Sequence, residues 1–415
     1  MYINKILVIA PRHYIDELKQ YYQNDMAQIS YLVEENLYKK DLIEESKKLI
    51  EAGFDGFIGL VDWSSLYAAY LNKQINKPSP NLTVLASLQD KLLSRELQMR
   101  HVNYDGLAMR LKKEMNLEES SFPLFLKPRR AAMSFMAKQI SSLGELALIE
   151  SDLKIKNSLK IKNRHWKQLY QFLNLSQKIE NGIDTFVIES ILPDGIQVTL
   201  DGFSQDDNIH FFGFTKSVFL PNRVSFKRFD YPYRMPKKIM DKVYAHAEDF
   251  VKKSKFSNSL FNIEYKIDLE ASEFAIVEIN TRPSSQFMYA IGQVSGVHPL
   301  DVAIDIVTGV KTSTIQTDTA HESASICVFR QPEDALVKKL PSKNDMKWFF
   351  EKYPEGRYNF FALEGEKLSQ HPNDSHSFRY AEVVILHPSS MRVNEFEDDL
   401  RSEFDSRITM ESVAS

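Results

Sequence analysis

Two carboxylates, one amide and one guanidinium are spaced so that they can share one face of a β-hairpin. Residues 260–286, LFNIEYKIDLEASEFAIVEINTRPSSQ, contain two stretches with a period of two, separated by a short acidic turn. In the second stretch Glu278, Asn280 and Arg282 have like parity and therefore point to the same side. Pairing of the two stretches about the turn can put Glu264 across from Glu278 on that side. The spacing thus predicts a polar cluster beside an apolar sheet.

Such a cluster suits a divalent cation. Two neighbouring carboxylates repel each other, which raises the pKa of one of them unless a cation lies between them. Oxygen ligands that leave coordination positions open suit Mg²⁺, which binds one or two carboxylates together with substrate phosphates. We therefore expect Mg²⁺, or Mn²⁺ in its place, on Glu264, Glu278 and Asn280. The alternative is a solvated strand face with a surface pair between Glu278 and Arg282, and the residues alone favour neither.

Glu264 followed by Glu278-x-Asn280-x-Arg282 resembles the metal-binding end of the ATP-grasp ligases, and the run EINTR is especially similar to the biotin carboxylase and L-amino acid ligase versions. The resemblance implies an ATP-grasp fold, of α/β and α+β class, that binds ATP and Mg²⁺. It also implies that a small carboxylate, an amino acid or a related acid, is activated as an acyl phosphate and joined to an amine, with ADP and phosphate released. We expect Lys127 and Arg282 to be the catalytic residues. The guanidinium of Arg282 has a fork geometry that suits a carboxylate.

Two lysines upstream follow the family's order. The resemblance implies that Lys91, within a helix predicted over 82–101, and Lys127, at the end of the apolar run FPLFLK, bind the nucleotide phosphates. An apolar strand that ends in a lysine suits this role, because burial of the strand fixes the position of the ammonium charge. Each lysine also has an ordinary explanation: Lys91 can lie on a solvated helix, and Lys127 can simply end a strand before Pro128.

The strand TFVIES and the turn after it match the adenine slot of the family. The resemblance implies that Glu189, Ser190 and Leu192 contact the base. Gln197 stands where the ribose hydroxyls bind and can form a hydrogen bond there, although the family has a carboxylate at this place. Taken alone, Glu189 is equally well explained as a strand-end carboxylate in water.

The segment after Lys127 departs from the family pattern. Most relatives have a glycine- and serine-rich loop there, whose backbone N–H groups fold over the phosphates. Residues 129–136 read RRAAMSFM and contain no glycine, so this loop is less free to adopt positive φ. Our hypothesis is that Arg129, Arg130 and Ser134 supply side-chain donors instead. Two alternatives stay open: a biotin-carboxylase-like reaction with a different nucleophile, and a nucleotide-binding module without turnover.

The elements that must position these residues suggest three domains. Residues 1–80 alternate strands and helices, which predicts an N-terminal domain with a small parallel sheet. The run NKPSPN ends this domain, and residues 81–310 carry the nucleotide-binding and catalytic motifs. After a polar linker, residues 311–415 predict a small C-terminal α+β domain.

The composition limits the function classes. Of 415 residues, 43% are hydrophobic and 26% charged, as in ordinary globular proteins, and the net charge of −4 argues against a nucleic-acid partner. The single cysteine, Cys327, excludes an intramolecular disulfide and lies in an apolar run, where a buried position is expected. Without an 18-residue apolar segment or a signal-peptide pattern, we expect a cytoplasmic protein with no membrane partner. The expected partners are small carboxylate and amine substrates, with a homodimer as a possible assembly.

Overall fold

A computed structural model describes residues 3–24, 27–101, 117–130, 135–175, 183–192, 194–312, 319, 321–371, 373–374, 376–387 and 396–413. The parallel sheet predicted for the N-terminal region is present. Its central strand β1 (Asn4–Ala10) pairs in parallel with β2 (Ala27–Val33) and β3 (Gly56–Gly59). The helices that follow these strands are α1 (Arg12–Tyr21), α2 (Leu42–Glu51) and α3 (Asp62–Gln74).

The helix predicted over 82–101 is interrupted. It consists of α4 (Leu82–Leu88) and α5 (Lys91–His101). Asp90 lies at the break, and its Oδ1 accepts hydrogen bonds from the backbone N–H groups of Leu92 at 3.0 Å and Leu93 at 3.1 Å. A carboxylate in this position starts a new helix, because it satisfies N–H groups that have no partner within the first turn. The break puts Lys91 at the first position of α5.

A small antiparallel sheet carries the predicted phosphate-binding strand. Its order is β5–β4–β6, with β4 (Leu124–Pro128), β5 (Lys138–Ile140) and β6 (Phe186–Ser190). The helices between β5 and β6 are α6 (Leu143–Ser151), α7 (Leu153–Lys162) and α8 (Arg164–Phe172). Ser142 caps α6, because its Oγ accepts a hydrogen bond from the N–H of Glu145 at 3.1 Å.

An eight-stranded sheet forms the centre of the molecule, in the order β11–β10–β7–β8–β9–β12–β15–β14. Its strands are β7 (Ile196–Gln205), β8 (Asn208–Phe219), β9 (Phe226–Tyr231), β10 (Ser259–Asp268), β11 (Glu273–Asn280), β12 (Ser323–Gln331), β14 (Arg357–Phe360) and β15 (Phe378–His387). The C-terminal strands therefore extend the sheet that carries the acidic hairpin β10–β11. A further antiparallel pair joins β13 (Ala335–Lys339) to β16 (Thr409–Ser412).

Helices cover the large sheet and bury its apolar side chains. They are α9 (Lys237–Ser254), α10 (Met288–Ser295), α11 (Pro299–Thr308), α12 (Lys347–Lys352) and α13 (Glu397–Asp405). An apolar stripe of α9, which runs from Ile239 to Val251, belongs to one core with the inward residues of β7 and β10. The same core includes residues of α3, α4 and α8, so the N-terminal helices and the acidic hairpin are fixed against one packed interior.

The prediction of a buried Cys327 is confirmed. Cys327 is fully buried, and burial raises the pKa of its thiol to about 12, so it behaves as a small apolar residue. His298 caps α11, since its Nδ1 accepts from the N–H of Leu300 at 3.2 Å. Among the helices that the structure describes, none combines the length and the apolar character needed to cross a membrane.

Candidate active site

The acidic hairpin brings the two predicted carboxylates opposite each other by way of a β-bulge between Glu264 and Tyr265. Glu264 of β10 lies directly opposite Glu278 of β11, and Asn262 lies opposite Asn280. Residues directly opposite in an antiparallel pair project from the same face. Burial, followed by the charge of Glu278, raises the pKa of Glu264. The two carboxylates therefore stand together on one face of the sheet, as the sequence predicted.

Lys91 and Gln197 contact this carboxylate pair. Lys91 Nζ lies 2.9 Å from Glu278 Oε1, and Gln197 Nε2 donates to Glu264 Oε2 at 3.0 Å. Burial would raise the pKa of Glu278, but the ammonium groups of Lys91 and Lys127 outweigh burial and lower it. Gln197, predicted at the ribose, thus lies beside the predicted metal ligands. Its role toward a ribose stays a prediction.

Lys127 and Glu189 form a buried ion pair that Arg95 shares. Lys127 Nζ contacts Glu189 and lies 3.5 Å from the carbonyl O of Val277, while Arg95 Nε lies 3.0 Å from Glu189 Oε2. Burial would raise the pKa of Glu189, but Arg95 and Lys127 outweigh it and lower that pKa to about 2. Burial lowers the pKa of Lys127 to about 8 against the pull of Glu189, and Arg95 and Lys91 add to the lowering. The pKa of Glu189 falls because two cations surround it, whereas the pKa of Lys127 falls mainly because the ammonium group is buried.

Arg95 was missed by the sequence analysis. Its Nη1 donates to the carbonyl O of Ile276 at 2.6 Å and to Gln98 Oε1 at 2.8 Å, and its Nη2 donates to the carbonyl O of Val277 at 2.9 Å. Arg95 therefore ties α5 to the strand that carries Glu278. A signal was available, because residues 91, 95 and 98 are spaced four and three apart and share one helix face.

One cleft brings the predicted phosphate-binding and metal-binding residues together. Its lining includes Lys91, Lys127 and Glu278, with Arg95 among them. The hairpin thus faces a space that also admits the strand-borne lysine, which the ligation hypothesis requires. Ser190 and Leu192 follow Glu189 at the end of β6, away from this lining, and their contact with a base stays a prediction.

Arg282 is held by groups from two regions of the chain. Its Nε lies 3.0 Å from Asp62 Oδ1, and its Nη2 donates to Asn280 Oδ1 at 3.3 Å. Asn280 Nδ2 in turn donates to Asn262 Oδ1 at 2.8 Å. The start of α3 and the end of β11 therefore fix the guanidinium beside the acidic hairpin. Asp62 and Asn262 were not identified from the sequence.

The glycine-free loop begins with two arginines that are engaged elsewhere. Arg129 Nε lies 2.7 Å from Asp90 Oδ2, and both side chains are buried. Arg130 lies over the ring of Trp166, 4.6 Å from the ring centroid, and is buried as well. The hypothesis that these arginines face the phosphates is therefore not supported by their contacts. Ser134, the third donor of that hypothesis, lies outside the described residues.

The donor set fits a magnesium nucleotide. Within the described parts of the chain, no three or more His, Cys, Asp and Glu side chains form a metal cage. Glu264, Glu278 and Asn280 form a smaller oxygen set, and Mg²⁺ commonly completes such a set with water and phosphate oxygens. Burial and the charge of Glu278 raise the pKa of Glu264, so a divalent cation beside Glu264 would stabilise its charged form, and the neighbouring lysines would accommodate phosphate. A magnesium ion would thus be held by the carboxylates, and the phosphates that it accompanies would be held by the lysines.

With this site, the arrangement is that of the ATP-grasp fold, and comparisons with solved structures agree. No protein-family model matches the sequence, and a search of curated proteins found no significant match. The structure is similar to that of the L-amino acid ligase from Bacillus licheniformis, with a TM-score of 0.71 at 14% identity over 100% of both chains.

Two further structures have the same fold. N5-carboxyaminoimidazole synthetase from Staphylococcus aureus, complexed with ADP, gives a TM-score of 0.63 at 16% identity and covers 97% of this chain and 98% of that chain. The biotin carboxylase domain of the Hydrogenobacter thermophilus 2-oxoglutarate carboxylase, complexed with MgADP and bicarbonate, gives 0.61 at 13% identity, over 100% of this chain and 92% of that chain. At these identities the similarity establishes the fold.

Proposed function

We propose that the protein is an ATP-dependent carboxylate–amine ligase that forms ADP and phosphate. The observation that carries this proposal is the single cleft in which Lys91 and Lys127 stand beside Glu278, with Glu264 directly opposite Glu278 on the hairpin. The solved structures of the same fold include an L-amino acid ligase and two proteins complexed with ADP, which supports a nucleotide-dependent ligation.

The residues of the cleft have complementary roles in this proposal. Glu264, Glu278 and Asn280 would hold Mg²⁺, which when bound supplies positive charge to the phosphate oxygens. Lys91 and Lys127 would offset the rest of the phosphate charge. Such neutralisation is what the reaction needs most, because a carboxylate must approach an anionic phosphate.

Arg282 would act on the acid substrate. Asp62, Asn280 and the carbonyl O of Pro283 hold its guanidinium, and the N–H groups that these contacts leave would orient a carboxylate without reorganisation. The acid would receive the terminal phosphoryl group of ATP as an acyl phosphate. An amine would then displace phosphate and form the amide bond. We propose amino acids or related small acids as substrates, since one similar structure is that of an amino acid ligase.

The test is ADP formation over a panel of acids and amines. We expect at least one acid–amine pair to stimulate ADP release in the presence of Mg²⁺. ATP binding is measured separately, by calorimetry with a non-hydrolysable analogue. The proposal fails if no pair stimulates ADP formation while the analogue still binds, and that outcome would favour the binding module without turnover.

A further inference from the structure

A ring of hydrogen bonds begins and ends at Arg282. The backbone carbonyl O of Arg282 accepts from Asn262 Nδ2 at 3.3 Å, and Asn262 Oδ1 accepts from Asn280 Nδ2 at 2.8 Å. Asn280 Oδ1 in turn accepts from Nη2 of Arg282 at 3.3 Å, which closes the ring. We call these three residues the Arg282 ring. Asn262 belongs to the ring, but the ligation chemistry proposed above gives it no role.

The two ends of the Arg282 ring determine the direction of every hydrogen bond in it. A carbonyl oxygen can only accept, so the Asn262 amide must present its NH₂ group to the backbone of Arg282. The oxygen of Asn262 then faces Asn280 and requires the NH₂ group of that residue as its donor. The oxygen of Asn280 is left for the guanidinium, which can only donate. Neither amide can turn over without placing two donors or two acceptors against each other.

Asn262 lies in the interior of the large sheet. Its strand, β10, is between β7 and β11, and Asn262 stands opposite Asp201 on one side and opposite Asn280 on the other. Asn262 is 2% exposed and Asn280 is 6% exposed. At this burial an amide N–H without an acceptor is unfavourable, so the oxygen of Asn262 stabilises one orientation of the Asn280 amide.

The orientation of the Asn280 amide decides whether this residue can bind a cation. An amide oxygen has two lone pairs, and the Arg282 ring uses one of them on Asn280. The other remains for a ligand on the face that carries Glu264 and Glu278, where the proposed function puts Mg²⁺. If the amide turned over, its N–H groups would lie there instead, and an N–H group does not bind a cation.

We propose that Asn262 is a positioning residue for the metal site: it holds the Asn280 amide with its oxygen toward the cation and thereby sets the affinity for Mg²⁺. This inference rests on the proposed function, because it concerns the metal that the ligase would use. Asn262 itself contacts neither the cation nor the substrates. Replacing a residue that orients a metal ligand commonly lowers metal affinity about 10- to 100-fold.

The test measures the dissociation constant of Mn²⁺ from the complex of the full chain with ADP, by electron paramagnetic resonance of the free ion. Asn262→Leu keeps the approximate shape of the side chain and removes both of its hydrogen-bonding groups. We expect this variant to bind Mn²⁺ about tenfold more weakly or worse, because the Asn280 amide loses the acceptor that fixes it. Binding of ADP without metal, measured by calorimetry, should change less than about twofold.

Asn280→Asp provides a background in which orientation does not matter. A carboxylate has two equivalent oxygens, so it offers one to the cation whichever way it is turned. In the Asn280→Asp protein, the addition of Asn262→Leu should therefore not weaken Mn²⁺ binding. A residue that only stabilises the sheet would cause the same loss of affinity in both backgrounds, and that result would overturn the proposal.

Asn72→Leu is the matched control. Asn72 is also buried, at 3% exposed, and its amide also forms two hydrogen bonds, with the backbone N–H and the carbonyl O of Phe57 at 2.8 Å each. Its replacement should lower the free energy of unfolding and leave Mn²⁺ binding unchanged. Asn262→Asp serves where Asn262→Leu does not fold, because a carboxylate keeps the acceptor for the Asn280 amide. It should bind Mn²⁺ at least as tightly as the unmodified protein does, and weaker binding would overturn the proposal.

The outcomes separate the two proposals. If the unmodified protein binds no Mn²⁺ in the presence of ADP, the metal site of the proposed ligase fails on its own account. If it binds Mn²⁺ and Asn262→Leu binds the ion equally well, only the role of Asn262 is refuted.

Discussion

Glu189→Gln should destabilise the protein strongly, because Glu189 neutralises two buried cations. Its side chain is 4% exposed, and it pairs with Arg95 and Lys127, which are 5% and 9% exposed. Replacing the carboxylate with an amide of the same shape leaves both cations buried without their counter-charge.

The pKa of Glu189 gives the size of this effect. The pKa falls from 4.5 to about 2 in the folded protein, and each pKa unit corresponds to about 1.4 kcal/mol, so the charge contributes about 3 kcal/mol at pH 7. Removing one partner of a buried ion pair costs about 3–5 kcal/mol in other proteins, which agrees. Because the folded pKa is depressed, this stability is complete above pH 4.5 and is lost as the pH falls toward 2.

Urea unfolding at several pH values measures the difference in free energy of unfolding between Glu189→Gln and the unmodified protein. We expect about 3 kcal/mol at pH 7 and about half of that at pH 3. Glu248→Gln is the matched control, since Glu248 pairs with Lys252 on the exposed side of α9 and should matter little at either pH. A difference below about 1 kcal/mol at pH 7, or one that does not change with pH, would refute the reasoning.

Three further predictions concern the cleft. Glu278→Gln should lower the rate of Mg²⁺-dependent ADP formation about 100-fold or more, while the circular dichroism spectrum stays unchanged. Turnover at the rate of the unmodified protein would exclude Glu278 as a metal ligand. Asp90→Asn should lower the free energy of unfolding by about 3 kcal/mol or more, measured with urea, because it leaves Arg129 buried without an anion. Asp62→Asn should lower kcat more than it weakens ATP binding, because Asp62 contacts Arg282 rather than the lysines; equal effects on both would contradict this role.

The acidic hairpin could be predicted only in part from local rules. Parity fixes which side chains of each strand share a face, but the register set by the turn would place Glu264 opposite Val277. A one-residue β-bulge between Glu264 and Tyr265 brings Glu264 opposite Glu278, and the sequence pattern does not show this bulge. The position of Lys127 could also be predicted, because this lysine stands near the C-terminal end of an apolar strand. These residues are near one another in the chain or on one regular element.

The contacts that sequence reasoning missed depend on tertiary packing. Arg95 binds the carbonyl groups of Ile276 and Val277, and nothing near Arg95 in the sequence indicates that strand. Asp62 and Arg282 are far apart in the chain and meet only because the start of α3 lies beside the end of β11. The periodicity of apolar and polar side chains indicates which face of a helix or strand is buried, but it does not show which distant element covers that face.

The loop without glycine shows how buried charge can support phosphate binding by side chains. The backbone N–H of Lys91 donates to the carbonyl O of Arg129 at 3.2 Å, and the Arg129 side chain binds Asp90. These contacts join the first turn of α5 to the end of β4, so one buried ion pair fixes Lys91 relative to Lys127. A glycine-rich loop brings backbone N–H groups close to phosphate, whereas here two lysines are held in fixed positions by packing. If Lys91 and Lys127 bind phosphate as proposed, the missing glycines do not argue against nucleotide binding, because that charge would come from side chains held by packing.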